Sequence, residues 1–94
     1  MDFDYIIVGA GSAGCVLANH LSSDASNLVL LLEAGPDNGA LSLKMPAAVL
    51  SNLNSTKHNW AFQGEPEPEL NGRRIQHDRG KTIGWSSSIN GMVF

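Results

Sequence analysis

The sequence has little of several features that each mark a particular class of protein. It contains one cysteine, Cys15, so no disulfide can form within the chain. Only 6 lysines and arginines stand against 9 acidic residues, and a net charge of −3 gives no reason to expect a nucleic-acid partner. No stretch approaches the roughly 20 apolar residues of a membrane span. The three histidines lack the spacing of a metal site, so we expect no bound metal.

The composition that remains is typical of a small globular protein. Hydrophobic residues make up 43% of the 94 residues and charged residues 16%, which excludes a disordered or fibrous chain. The first residues include two acids and no base, unlike a secretory signal. We therefore expect a cytoplasmic protein, and the sequence indicates no particular oligomeric state.

The first 35 residues show the pattern strand, helix, strand. Tyr5–Val8 is a short apolar run that predicts a strand buried on both faces, and Leu28–Glu33 predicts a second one. Between them, one helical stripe is predicted to face the sheet: Ala13, Val16, Leu17, His20 and Leu21. Together these elements predict an α/β fold, the right-handed βαβ unit of a Rossmann-type domain that is incomplete in this chain.

A glycine motif, residues 9–14, joins the first strand to the helix. Gly9, Gly11 and Gly14 form GxGxxG, and Glu33 follows about 20 residues later at the end of the second strand. This context favours a dinucleotide site, with the pyrophosphate at the helix N-terminus and the acid on a ribose. Glu33 would repel a 2′-phosphate, which disfavours an NADP-like ligand. The alternatives are an ordinary strand-to-helix turn and a solvated acid at a strand end.

The rest of the chain divides into two further segments. Residues 36–78 are predicted to be a loop and short hairpin excursion, with a short helix over Pro46–Leu53 and strands within His58–Gln63 and Arg73–His77. The prolines of Glu65–Glu69 predict an extended, solvated stretch. Residues 79–94 are predicted to be a glycine-bearing loop that leads into a helix start at its serines.

Two stretches together resemble the glucose–methanol–choline (GMC) oxidoreductases. Residues 5–18 (YIIVGAGSAGCVLA) and 30–35 (LLLEAG) are similar to that family's dinucleotide-binding segment. Residues 79–92 (RGKTIGWSSSINGM), here called the serine motif, resemble its first signature, RGKxLGGSSxINGM. Asn59-Trp60 and residues 65–73 (EPEPELNGR) resemble its choline-dehydrogenase-like members. The resemblance covers essentially the whole chain in the expected order.

The resemblance implies FAD as cofactor and oxidation of a small alcohol, with hydride passing from the carbinol carbon to flavin N5. It places Ser12 and Ala13 against the pyrophosphate and Glu33 on the adenosine ribose. The full set of implied cofactor-binding residues is Gly9, Gly11, Ser12, Ala13, Gly14, Glu33, Ala34, Trp60, Arg79, Gly80, Gly84, Ser86, Ser87, Asn90, Gly91, Met92 and Val93. The family's catalytic histidine lies far downstream, so none of the 94 residues is expected to be catalytic and the chain alone is expected to be inactive.

Several single residues allow more than one interpretation. Trp85 stands where the family has glycine, and it either weakens FAD binding or swings outward. His77 occupies a position where some family members attach FAD covalently, although an uncoupled histidine is the favoured interpretation. Trp60 lies near the flavin or in a core. We expect His20 to be a packed or rim histidine and His58 to be a solvated loop residue. Cys15 is expected to be a small packed thiol.

Three functions are therefore open at this stage. The first is the FAD-binding N-terminal portion of an alcohol-oxidising flavoprotein. The second is a non-catalytic remnant with weak or no cofactor binding. The third is an NAD-binding dehydrogenase domain, which leaves the serine motif unexplained.

Overall fold

The computed structural model describes residues 1–90, and all structural statements below concern those residues. Its strands are β1 (Tyr5–Val8), β2 (Val29–Leu32), β3 (Phe62–Gln63) and β4 (Gln76–His77). Its α-helices are α1 (Ser12–Ser22), α2 (Leu41–Lys44) and α3 (Val49–Leu53). Short 3-10 helices occupy Pro46–Ala48, Pro68–Leu70 and Trp85–Ser88. Within this part of the chain, no helix combines the length and the apolar character needed to cross a membrane.

The βαβ unit has the predicted parallel arrangement. β1 pairs with β2 in a register that runs from Tyr5 opposite Val29 to Val8 opposite Leu32, and α1 connects the two strands. Before β1, the Asp4 carboxylate accepts a hydrogen bond of 2.8 Å from the amide of Leu28. The prediction of a Rossmann-type βαβ segment is thereby confirmed.

The burial of the two strands differs from the prediction. Only Ile7 of β1 is buried, while Ile6 is 60% exposed and Val8 83% exposed. The expectation that both faces are buried was wrong for residues 1–90, because one helix covers only one face of a two-stranded sheet. The alternating exposure leaves an apolar surface on the side of β1 that α1 does not cover.

The helix stripe was also predicted incorrectly. The partly covered positions of α1 are Gly14, Cys15, Ala18 and Leu21, a face made mainly of small residues. A Cβ added to Gly14 would collide with the carbonyl oxygen of Gly9, so the helix approaches the end of β1 more closely than larger side chains permit. Of the predicted stripe only Leu21 lies on this face, and four members are exposed: Ala13, Val16, Leu17 and His20.

The middle segment forms shorter elements than predicted. The helix over Pro46–Leu53 is present as a 3-10 turn followed by α3, with proline at its start as expected. The two predicted strands pair with each other over only two residues, with Phe62 opposite His77. Isolated bridges join Asn59 to Gly80 and Glu67 to Arg73. Pro68–Leu70 forms a 3-10 turn, so the stretch predicted to be extended up to residue 69 is extended only at its beginning. Between β3 and β4 the chain turns at Asn71 and Gly72, both at positive φ.

The described part of the serine motif packs back onto the βαβ unit. The amide of Gly84 donates a 2.7 Å hydrogen bond to the Ala10 carbonyl, and the hydroxyls of Ser12 and Ser87 lie 3.1 Å apart. The buried Thr82 hydroxyl donates to the carbonyl of Pro36 over 2.8 Å. These contacts bring the two motifs to the same end of the parallel strands. The expected helix start at the serines is a four-residue 3-10 helix, Trp85–Ser88.

Candidate cofactor site

A cavity of about 760 Å³, here called the main cavity, lies where the glycine motif meets the ends of β1 and β2. Its volume is in the range of small-molecule and cofactor sites. Eight of the residues predicted to bind cofactor line it: Gly9, Gly11, Ser12, Ala13, Gly14, Glu33, Ala34 and Trp60. The other lining residues are Val8, Leu32 and Trp85. The carboxyl ends of both parallel strands thus open onto one crevice, the usual ligand position in open α/β sheets.

The N-terminus of α1 faces this cavity without a cap. The N-cap residue is Gly11, no side chain bonds to the first-turn amides there, and the first turn contains no acid. The first amides of an α-helix lack acceptors within the helix and carry the positive end of its dipole. Gly9, at φ 98°, makes the turn that aims them into the cavity. This end of α1 is therefore suited to an anion such as a diphosphate.

Glu33 also lines the main cavity, with its carboxylate hydrogen-bonded to the glycine motif. It lies one residue beyond β2, where its Oε2 accepts a 2.8 Å hydrogen bond from the amide of Ala10 and its Oε1 accepts one of 2.9 Å from Gly35. A carboxylate offers about four lone-pair sites, so each oxygen retains acceptor capacity. The two backbone bonds fix the direction in which the carboxylate faces. The geometry suits acceptance of hydrogen bonds from a sugar diol.

Of the described residues of the serine motif, Trp85 lines the main cavity and the others support it from outside. Gly80 is buried and its amide donates to the Ser86 hydroxyl over 3.1 Å, while the Gly84 amide donates to the Ala10 carbonyl as described. The exposed Arg79 directs its guanidinium to the Asp78 carbonyl, at 2.7 Å. None of the described members of the predicted set after Trp60 lines the main cavity: Arg79, Gly80, Gly84, Ser86, Ser87 and Asn90. Gly91, Met92 and Val93 lie outside the described residues.

Trp60 is fixed at the edge of the main cavity. Its ring stacks on Phe62, with centroids 5.9 Å apart and planes 6° from parallel, and Lys81 Nζ lies 4.4 Å from its centroid. A cation over an indole face is attractive, so this contact ties the strand segment to the serine motif. Trp60 is 41% exposed, which rules out a core position within residues 1–90.

Asn59 is buried and links three segments of the chain, at Leu53, Ala61 and residues 78–79. Its Nδ2 donates to the Leu53 carbonyl and to Asp78 Oδ1, both at 2.7 Å. Its Oδ1 accepts from the amides of Ala61 and Arg79, both at 3.0 Å. Both polar groups of its side chain are thus paired at 1% exposure, as buried polar groups require. Asn59 therefore positions the residues that precede Gly80 and follow Trp60.

Asp78 is part of the same network. Hydrogen bonds from the side-chain amide of Gln76, at 2.6 Å, and from Asn59 hold the pKa of this carboxyl below its ordinary value. A lowered pKa means that the fold favours the carboxylate. The associated stability is present above the ordinary aspartate pKa and is lost as the pH falls through the lowered one.

The histidines are distributed differently from the expectation. His58 is 5% exposed and its Nδ1 is buried without a hydrogen-bond partner, so the prediction of a solvated loop residue was wrong. The His58 carbonyl accepts a hydrogen bond from the amide of Lys81, so His58 packs against the serine motif. His20 is exposed on α1, and His77 lies in β4 and does not line the main cavity. In the described chain, no three His, Cys, Asp or Glu side chains are grouped to hold a metal ion.

Cys15 lies one turn into α1, where its thiol donates to the Ala10 carbonyl over 3.3 Å. The side chain is partly covered, which agrees with the expected packed thiol. It contributes to the contact between α1 and the glycine motif.

Sequence reasoning missed three residues of this region. Val8 and Leu32 line the main cavity because each is the last residue of its strand, a position that could have identified them. Asn59 was quoted only for its resemblance, because a single asparagine in a predicted strand gives no sign that it is buried and fully bonded.

Comparison with known proteins identifies the family of the chain. A family model described as GMC oxidoreductase matches residues 3–94. The chain belongs to this family. The oxygen-dependent choline dehydrogenase of Vibrio vulnificus (strain YJ016) is 53% identical over 98% of the chain. The alcohol dehydrogenase [acceptor] of Pseudomonas putida is 58% identical over 98% of it. The chain spans 16% and 17% of the length of these two relatives.

Solved structures of the family share the fold. Pyridoxine 4-oxidase from Mesorbium loti matches 99% of the chain with a TM-score of 0.88 and 35% identity, and the chain covers 18% of it. A variant of Aspergillus oryzae RIB40 formate oxidase, studied for FAD modification, matches 94% of the chain, with a TM-score of 0.80 and 35% identity. The chain covers 16% of that protein. FAD is the cofactor of this family, and the Rossmann-type βαβ segment is its N-terminal part.

Proposed function

We propose that this chain binds the ADP half of FAD as the N-terminal portion of an alcohol-oxidising flavoprotein. The observation that carries the proposal is the position of two complementary groups in one cavity. The uncapped amides of α1 are suited to a diphosphate, and the fixed carboxylate of Glu33 is suited to a ribose.

The roles of the lining residues follow from this arrangement. Gly11, Ser12 and Ala13 would lie along the pyrophosphate, and Ala34 beside the ribose that Glu33 holds. Trp60 would lie toward the flavin. The serine-motif residues would act mainly by holding the glycine motif in place, as the Gly84–Ala10 hydrogen bond indicates.

The reaction that we propose is oxidation of a primary or secondary alcohol. When bound, FAD would supply the hydride acceptor at N5. Residues 1–94 contribute binding and orientation, and we place the catalytic base in the part of the polypeptide outside them. The names of the choline and alcohol dehydrogenase relatives support this substrate class. We also propose a cytoplasmic location.

FAD is favoured over NAD because the serine motif packs directly on the dinucleotide loop and belongs to the family match. Titration of the complete polypeptide with FAD and with NADH distinguishes the two cofactors. We expect a yellow protein that retains flavin. A colourless protein that changes the fluorescence of NADH would overturn the proposal in favour of an NAD-binding domain, and one that binds neither would indicate a non-catalytic remnant.

Exchange of Glu33 for glutamine tests the ribose contact. We expect Glu33→Gln to weaken FAD binding about tenfold to hundredfold, because hydrogen bonds to a charged acceptor contribute about 1.5–3 kcal/mol. Isothermal titration of the apoprotein with FAD measures the change.

Asp37→Asn is the matched control, since it removes the same charge from the same loop. Asp37 is exposed, bonds only to the amide of Gly39 and does not line the main cavity. The affinity of the Asp37→Asn variant for FAD should stay within about twofold of that of the parent. Equal affinities for both variants would contradict the role of Glu33.

The location of His77 predicts that FAD is held without a covalent bond. His77 is exposed in β4 and does not line the main cavity. After acid precipitation of the complete flavoprotein, we expect the flavin in the supernatant. Flavin that stays in the washed pellet, and is released when His77 is replaced by alanine, would show that the histidine is the attachment site.

A further inference from the structure

Trp85 lies against Gly11 of the glycine motif, and both residues line the main cavity. A Cβ added to Gly11 would meet the Cβ and Cε3 of Trp85, each at 3.3 Å. The indole thus rests on the one glycine whose missing side chain should admit a pyrophosphate. The position of the ring and the approach of the ligand are in conflict.

The backbone of Trp85 fixes the direction from which the indole enters. Its φ is 52°, in the left-handed region that a bulky residue seldom adopts. The conformation is held by a 2.8 Å hydrogen bond from the Trp85 amide to the Thr82 carbonyl and by Gly80, whose Cα packs against the Trp85 carbonyl. The main chain therefore cannot carry the side chain away from the cavity without breaking these contacts.

The indole itself is held much less firmly than its backbone. It is 46% exposed, and in the described chain its Nε1 has no hydrogen-bond acceptor. Trp60 differs, since Phe62 and Lys81 hold its ring. Rotation about the side-chain bonds is thus the motion open to Trp85.

We propose that Trp85 is a built-in occupant of the cofactor cavity, which must rotate off Gly11 before a dinucleotide can bind. The inference rests on the proposed function and adds a regulatory element to that site. When the open rotamer is a minor state, the apparent dissociation constant rises by the reciprocal of its population. An open fraction of about one tenth therefore weakens binding about tenfold.

Two substitutions separate the ring from the strained backbone. Trp85→Ala removes the indole and keeps a Cβ at positive φ, whereas Trp85→Gly also relieves the backbone. Trp85→Phe keeps a ring on Gly11 and serves as the control. The dissociation constant for FAD and the rate of flavin binding are measured on the apo form of the complete polypeptide, by quenching of flavin fluorescence in a stopped-flow instrument.

We expect both Trp85→Ala and Trp85→Gly to bind FAD about tenfold more tightly than the parent, with Trp85→Phe close to the parent. The observed binding rate of the parent should rise with FAD concentration about tenfold less steeply than that of Trp85→Ala, because rotation of an exposed side chain is much faster than binding and only the open rotamer accepts the ligand.

Three outcomes would overturn the inference. Tighter binding by Trp85→Gly alone would assign the effect to the backbone. If the parent binds FAD and both Trp85→Ala and Trp85→Gly bind it equally or more weakly, the indole does not block the cavity. The proposed function would then remain intact. No FAD binding by the parent or any variant would reject the proposed function itself.

Discussion

Replacing Gly14 with alanine is expected to abolish FAD binding and to lower the free energy of unfolding by about 2–3 kcal/mol. The added Cβ would collide with the carbonyl oxygen of Gly9 and crowd its carbonyl carbon, at 3.1 Å. Both partners are backbone, so no flexible side chain can yield. Relief requires α1 to move away from β1, and this movement also displaces the amides that face the main cavity. Chemical denaturation of the complete polypeptide measures the loss of stability.

Gly39→Ala is the control for this substitution. A Cβ at Gly39 would lie 3.1 Å from Asp37 Oδ1, the end of an exposed side chain that can rotate. We expect a change below about 1 kcal/mol and normal FAD binding. If Gly14→Ala matched this control in stability and flavin content, the close approach of helix and strand would not be required.

Replacing Asn59 with leucine is expected to lower the free energy of unfolding by about 3–5 kcal/mol. Leucine has a similar volume but pairs with neither the Leu53 carbonyl nor the amides of Ala61 and Arg79. Each buried group left without a partner costs about 1–3 kcal/mol. The released chain around Arg79 would no longer hold the serine motif against the glycine motif, so retained flavin should fall as well.

Asn54→Leu provides the comparison for Asn59→Leu. Asn54 is exposed and its amide bonds only to the Leu50 carbonyl, at 3.0 Å. Its replacement should cost less than about 1 kcal/mol and leave flavin content unchanged, because water satisfies the carbonyl. Similar denaturation midpoints for the two variants would show that the Asn59 network contributes little.

The sequence predicted the dinucleotide half of this fold because its signals are local. Gly9, Gly11 and Gly14 stand in fixed spacing between two apolar runs, and backbone geometry at such a turn depends on adjacent residues. The position of Glu33 followed from the length of the unit. These four residues line the main cavity.

Burial was predicted poorly because it depends on what packs against each element. The apolar spacing of Val16 and Leu17 indicated a sheet-facing stripe, yet the close contact at Gly14 turns a different face of α1 inward. His58 gave no local sign that the serine motif would cover it. The strands β3 and β4 were predicted to be longer than they are, because alternating apolar and polar residues do not show where strand pairing stops.

The hydroxyl contact between Ser12 and Ser87 joins positions 75 residues apart in the sequence. Contacts of such long range are slow to form, since the intervening chain must lose freedom before they stabilise it. During synthesis the glycine motif leaves the ribosome well before the serine motif that packs against it. We therefore expect the nascent chain to bind FAD only after the serine motif has emerged from the ribosome. A ribosome-bound nascent chain that stops before residue 80 should carry no flavin.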